Sequence, residues 1–184
     1  MTRVNLIDPD TATGTAAEQL AATRQTMGVI PNMAKAMANS PAALQGFLGL
    51  FGALKGGVLR AADQERIALA VAEMNGCTYC LSAHTMVSRN VTKLPEEEIE
   101  AARRGESGDP TSAAILRLAV AVTRDRGHVG EEDFAAARQA GLSDEEIVEV
   151  VANVARNVFT NYINETLAVD VEWPPVKPFT HATA

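Results

Sequence analysis

Apolar residues recur along this chain every three to four positions and almost never alternate. That spacing follows the turn of an α-helix, whereas alternation would mark half-buried strands. The pattern predicts a succession of helices with short breaks. After an extended arm over about residues 1–13, a first helix runs from Thr15 to Met27. Gly28-Val29-Ile30-Pro31 interrupts it, since glycine ends helices readily and proline opens the next one. A short helix follows from Asn32 to Asn39. Ser40-Pro41 then reads as an N-cap with proline at the first helical position. The helix it opens carries Leu44, Phe47, Leu48 and Phe51 and ends at Gly56-Gly57. The Phe47/Phe51 pair reads as core at helical spacing.

Ala61 to Asn75 forms the next helix, closed by Gly76, and Cys77 to about Asn90 another. Pro95 opens an acidic helix that stops near Gly105, and Glu96-Glu97-Glu98 suits its electropositive start. Gly108-Asp109-Pro110 precedes a helix ending around Asp125. Gly130 to Ala140 and Ser143 to about Leu167 complete the set, and Ser143 with Glu146 makes a capping-box signature. The tail, about 170–184, contains Trp173-Pro174-Pro175-Val176-Lys177-Pro178 and is expected to be extended. The expectation is an all-α fold, with residues 1–184 as one domain.

Composition sharpens this picture. Alanine accounts for 32 of 184 residues and aromatics for only 4%, which favours closely packed helices. A net charge of −7, with no basic run longer than Arg103-Arg104, argues against a nucleic-acid partner. No apolar run reaches the roughly 18 residues of a membrane span. The first residues lack the hydrophobic region of a signal peptide, so the expected compartment is the reducing cytoplasm.

Chemistry concentrates in one segment. Cys77-Thr78-Tyr79-Cys80 holds both cysteines of the chain, and His84, one of three histidines, follows one turn later. On a helix, Cys77, Cys80 and His84 fall within an arc of about 60°. Thr78, Ser82, Thr85 and Arg89 form a separate polar strip, expected to face solvent, so the thiols and imidazole are expected to face inward. Twelve positions before Cys77, Glu65 has Ala68, Leu69 and Ala72 as helical neighbours, an apolar groove in which a carboxylate needs a partner. Arg66 and Glu73 are the expected exposed positions of that helix. The turn at Asn75-Gly76 could bring Glu65 to the Cys/His face.

Two thiols one turn apart support a redox cycle through a sulfenic acid and a disulfide, which an external reductant reopens. A Cys₂His-plus-carboxylate zinc site, or a non-enzymatic redox-sensing module, is the rival reading, and inert buried thiols the third. His128 reads as a surface-loop residue and His181 as part of the terminal tail. Asn157, Asn161, Tyr162 and Asn164 form a polar-rich stretch of the last helix. It reads as structural hydrogen bonding, with room for one of them to line a pocket.

The pattern Glu65-x₁₁-Cys77-x-x-Cys80-x₃-His84, set in Ile67-Ala68-Leu69-Ala70-Val71-Ala72-Glu73-Met74-Asn75-Gly76, resembles the signature of the alkylhydroperoxidase D-like proteins of the carboxymuconolactone decarboxylase superfamily. Gly28-Val29-Ile30-Pro31-Asn32 and Asn157-Val158-Phe159-Thr160-Asn161-Tyr162 look like its peroxidase-related branch. The resemblance implies a helical fold that oligomerises through helix packing, and peroxide reduction without metal or other cofactor. It implies Cys80 as the peroxidatic thiol, Cys77 as the resolving one, and Glu65 and His84 as a proton relay. An unknown thiol or dithiol would be the reductant. Helix-dipole reasoning alone favours Cys77 as the more acidic thiol. The best-studied members of the family carry a histidine between the cysteines, where this chain has Tyr79. Decarboxylation of a lactone is the alternative within the superfamily.

Overall fold

The computed structural model describes residues 1–179. Among them are nine helices and no strand: α1 (Gly14–Met27), α2 (Asn32–Met37), α3 (Pro41–Lys55), α4 (Ala61–Met74), α5 (Thr78–Asn90), α6 (Glu96–Arg103), α7 (Pro110–Arg124), α8 (Glu131–Gln139) and α9 (Asp144–Leu167). The all-α expectation holds, and most boundaries fall within one or two residues of those read from the sequence. The caps explain why. Ser40 Oγ accepts from Ala43 N, and Asp109 Oδ1 accepts from Ser112 N at 2.8 Å, each satisfying a donor that the helix start leaves free. Ser143 and Glu146 form the reciprocal capping box that starts α9.

Helix α4 is the hub. Its residues from Ile67 to Glu73 are all buried, and it packs against α5, α6, α7 and α9. Alanine at positions 68, 70 and 72 lets neighbouring backbones approach closely on several sides. Two apolar clusters flank it. Leu69 belongs to one with Leu44, Phe47, Leu81 and Leu116; Ile67 and Val71 belong to the other with Ile115, Leu118, Val150 and Val154. Leu69 is fully sealed, so truncating it to alanine would cost about 2–5 kcal/mol.

Two corrections to the sequence reading follow, one from the chain ends and one from α6. Arm and tail run beside each other, with Arg3 N donating to Leu167 O at 2.8 Å and Thr2 N to Asp170 Oδ2 at 3.0 Å. The extended tail then crosses α5. The ring of Trp173 meets that of Tyr79 edge-on at 5.2 Å, and Val176 N donates to Ser82 Oγ at 2.9 Å. The strip of Thr78, Ser82, Thr85 and Arg89 is therefore not a solvent face: Ser82 and Thr85 are buried, and Arg89 alone is exposed. Arg66 and Glu73 are likewise buried rather than exposed. Each has an opposite charge from α6: Arg66 bonds Glu98 at 2.8 Å, and Glu73 bonds Arg103 at 2.8 Å. Phe179 N adds a 2.6 Å bond to Glu73. Burial of a charge is tolerated where a partner is built in, and here the partners come from segments distant in sequence. His128 is exposed on a loop as expected, whereas His181 lies outside the described residues.

Candidate active site

The turn between α4 and α5 sets the site. Gly76 takes a left-handed backbone (φ +66°), and Cys77 N donates back to Ala72 O at 2.9 Å. A side chain at position 76 would strain this conformation. The chain reverses there, and α5 returns along α4.

Cys77 is the N-cap of α5, and its sulfur accepts from Cys80 N at 3.2 Å. Thiol caps are less usual than hydroxyl or carboxamide caps, but this one places the two cysteines side by side at the positive end of a helix. Both thiols are free and buried. One turn along, His84 Nδ1 lies 2.9 Å from Glu65 Oε2. The sequence expectation that Glu65 would meet the Cys/His face is thus realised. These two side chains keep some solvent contact, 22% for His84 and 14% for Glu65, so the face that holds them is where the site opens.

Helix α9 supplies a wall that the sequence left nearly anonymous. Asn164 Nδ2 donates to Cys80 Sγ at 3.2 Å and to Met33 Sδ at 3.3 Å. Asn161 Oδ1 accepts from Asn75 Nδ2 at 2.8 Å, tying α9 to the end of α4. Asn153, Asn157, Asn161 and Asn164 are all buried while Tyr162 is exposed. Their spacing of four, four and three is helical and marks one inward polar face; that periodicity is the signal that could have found them.

The two thiols differ electrostatically. Burial works against ionisation of Cys80, but the hydrogen bond from Cys77, the positive charge of His84 and the amides of Asn164 and Asn161 outweigh it and bring its pKa down to about 7. Cys77 is pushed far up, first by its hydrogen bond to Cys80 and then by burial. The helix-dipole expectation for Cys77 is reversed, because side-chain partners around Cys80 outweigh position on the helix. For His84, burial disfavours the cation, but the Glu65 carboxylate raises its pKa above the ordinary value.

Tyr79 points away from the thiols. Its hydroxyl donates to Glu172 Oε1 at 2.9 Å and accepts from Met33 N at 3.1 Å, while Asn32 N donates to the same Glu172 oxygen at 2.7 Å. Burial raises the phenol pKa well above its usual range, so this side chain is a structural tie rather than an acid or base. As for a metal, no group of three or more His, Cys, Asp and Glu among the described residues is arranged to hold one.

Residues 41–125 match the carboxymuconolactone decarboxylase family. This segment spans α3 to α7 and contains Glu65, Cys77, Cys80 and His84. A peroxidase-related protein from Ralstonia eutropha JMP134, with an alkylhydroperoxidase core, has the same fold at a TM-score of 0.81 and 24% identity, covering 93% of this chain and 92% of that one. The chain has the alkylhydroperoxidase D-like fold, and just under half of it matches the carboxymuconolactone decarboxylase family. A peroxidase-related protein from Silicibacter sp. TM1040 is similar at a TM-score of 0.77 and 24% identity over 95% of this chain and 92% of that one. The debrominase Bmp8 shares the fold as well, at 0.75 and 22% identity over 93% and 91%. The alkylhydroperoxidase D-like fold therefore hosts more than one chemistry, and the residues must decide which applies here. No curated protein matches the chain in sequence.

Proposed function

We propose that this protein reduces peroxides through a dithiol–disulfide cycle at Cys80 and Cys77. The observation that carries the reading is the environment of Cys80: a sulfur held by Asn164 and Cys77, one turn from a His84–Glu65 pair, with a pKa near neutrality. The thiolate is the nucleophile, so Cys80 is the attacking group and Cys77, held protonated, the resolving one.

The steps balance as follows. The Cys80 thiolate attacks one peroxide oxygen; an S–O bond forms and the O–O bond breaks. The departing alkoxide takes a proton from the His84 imidazolium, which Glu65 orients and stabilises. Cys80 is now a sulfenic acid and the substrate an alcohol. The Cys77 sulfur then attacks Cys80, the S–S bond forms, and the hydroxyl leaves with a proton as water. An external thiol or dithiol, itself oxidised, returns the pair to thiols. Such a cycle suits a reducing compartment, the cytoplasm.

Self-association belongs to this reading. Val148, Val151, Phe159 and Tyr162 are exposed along one side of α9. Gly46, Gly49 and Ala53 form an exposed, small-residue side of α3. Apolar and small-residue faces of this kind support helix packing between copies of the chain.

The test is intact mass after treating reduced protein with an organic hydroperoxide. Wild type should lose two hydrogens, and Cys77→Ser should yield a sulfenic acid on Cys80 that dimedone traps. Unchanged peroxide consumption by Cys80→Ser would overturn the assignment.

A further inference from the structure

One buried charge near the site makes no ion pair among the described residues. Arg156, on α9, is only 4% exposed. The other buried arginines are paired: Arg66 with Asp63 and Glu98, Arg103 with Glu73 and Glu100. Arg156 makes no hydrogen bond or ion pair with any described residue, and its guanidinium carbon lies 5.5 Å from the centre of the Phe51 ring. A buried cation without a partner is costly, and a guanidinium presents five donors in a planar fork suited to a carboxylate. The five donors are left unused in a chain whose net charge is −7.

Its position is that of the site. Arg156 acts electrostatically on both His84 and Glu65, yet it is too far from Glu65 to form an ion pair. Along α9, the eight residues from Arg156 to Asn164 span about 12 Å. Asn164 touches Cys80, whereas Arg156 acts on His84, one turn further along α5. The guanidinium and the donor to the attacking sulfur are therefore both placed by α9, about two turns apart along it.

We propose that Arg156 receives the carboxylate of an acidic substrate, so that the site takes hydroperoxides bearing a carboxylate several bonds from the O–O group. This rests on the peroxidase reading for the identity of the reacting group, but not for the anion site itself. A bidentate carboxylate would satisfy donors that the protein leaves open and would hold the distal oxygen towards Cys80.

The experiment uses slender alkylating probes, so that it does not depend on peroxide turnover. Cys80 displaces iodide from 6-iodohexanoate or from its neutral isostere 6-iodohexanamide, with a C–S bond formed and iodide released, and peptide mass follows the rate. Wild type should react at least about tenfold faster with the carboxylate. Arg156→Met should bring the ratio to about one, whatever shift in Cys80 reactivity is common to both probes, and Arg156→Lys should keep part of the preference. Hexanoate, but not hexanamide, should slow alkylation of wild type by iodoacetamide; this arm stands even if the methionine variant fails to fold. A wild-type ratio near one, a ratio unmoved in Arg156→Met, or no protection by hexanoate would overturn the proposal. A protein that shows the preference but reduces no hydroperoxide would instead overturn the peroxidase reading and leave the anion site standing.

Discussion

The amide nitrogen of Asn164 lies 3.2 Å from the sulfur of Cys80, across 84 residues of chain. This bond makes α9 part of the thiol's chemistry, because a donor aimed at sulfur stabilises the thiolate over the thiol. Hydrogen bonds to charged groups contribute about 1.5–3 kcal/mol. Asn164→Ala should therefore raise the midpoint of Cys80 alkylation against pH by about one pH unit or more from its position near 7. Iodoacetamide rates across pH measure it, and an unmoved midpoint would show that the amide does not act on the sulfur.

Glu65→Gln should act on the same midpoint from further away. Glu65 raises the pKa of His84, and the His84 cation lowers that of Cys80. Without the carboxylate, His84 gives up its proton at lower pH, and the Cys80 midpoint moves up. The stability sign follows for His84 itself. A raised folded pKa adds stability below the unfolded value of about 6.5 and loses it as pH rises through the folded value. The Tm difference between wild type and Glu65→Gln should thus be larger at pH 5.5 than at pH 8.5. Equal differences at the two pH values would count against a charged His84–Glu65 pair.

Tyr79→Phe separates the structural role of this position from a catalytic one. The variant removes the donor to Glu172 and the acceptor for Met33 N, both at buried or partly buried positions. A loss of about 1–3 kcal/mol is expected, together with faster proteolysis of the tail. The Cys80 alkylation midpoint should stay in place. A large change in that midpoint would show that the Tyr79 hydroxyl acts on the thiols.

Arg103→Met should be among the most destabilising substitutions outside the site. Glu73 is buried, and its charge is met by the Arg103 guanidinium at 2.8 Å. Removing one member of a buried pair typically costs about 3–5 kcal/mol. Chemical denaturation would register it, and a loss below 1 kcal/mol would mean that the remaining partners of Glu73 suffice.

The helices were legible because their signals are local: proline and serine starts, glycine stops and a period near 3.6 lie within a few residues of each boundary. The meeting of Glu65 with His84 was legible for a related reason, since a single glycine turn joins their helices. Burial of Arg66, Glu73, Ser82 and Thr85 was not. Whether a polar side chain is covered depends on what the distant segment brings, and here α6 and the tail bring carboxylates, a guanidinium and backbone N–H groups. The same limit hid Arg156 and left open which of the asparagines of α9 lines the site, since that depends on the sulfur that α5 places beside Asn164.

The sulfur that starts α5 serves two ends. As the N-cap it accepts the Cys80 backbone N–H, and as a thiol it is available for bond formation. A disulfide with Cys80 would bind this sulfur covalently and pull it from its capping position. The first turn of α5 would then fray, and amide exchange at Cys80 would report the redox state of the pair. In such a molecule, oxidation is not confined to two side chains. It would act on the start of the helix that carries His84.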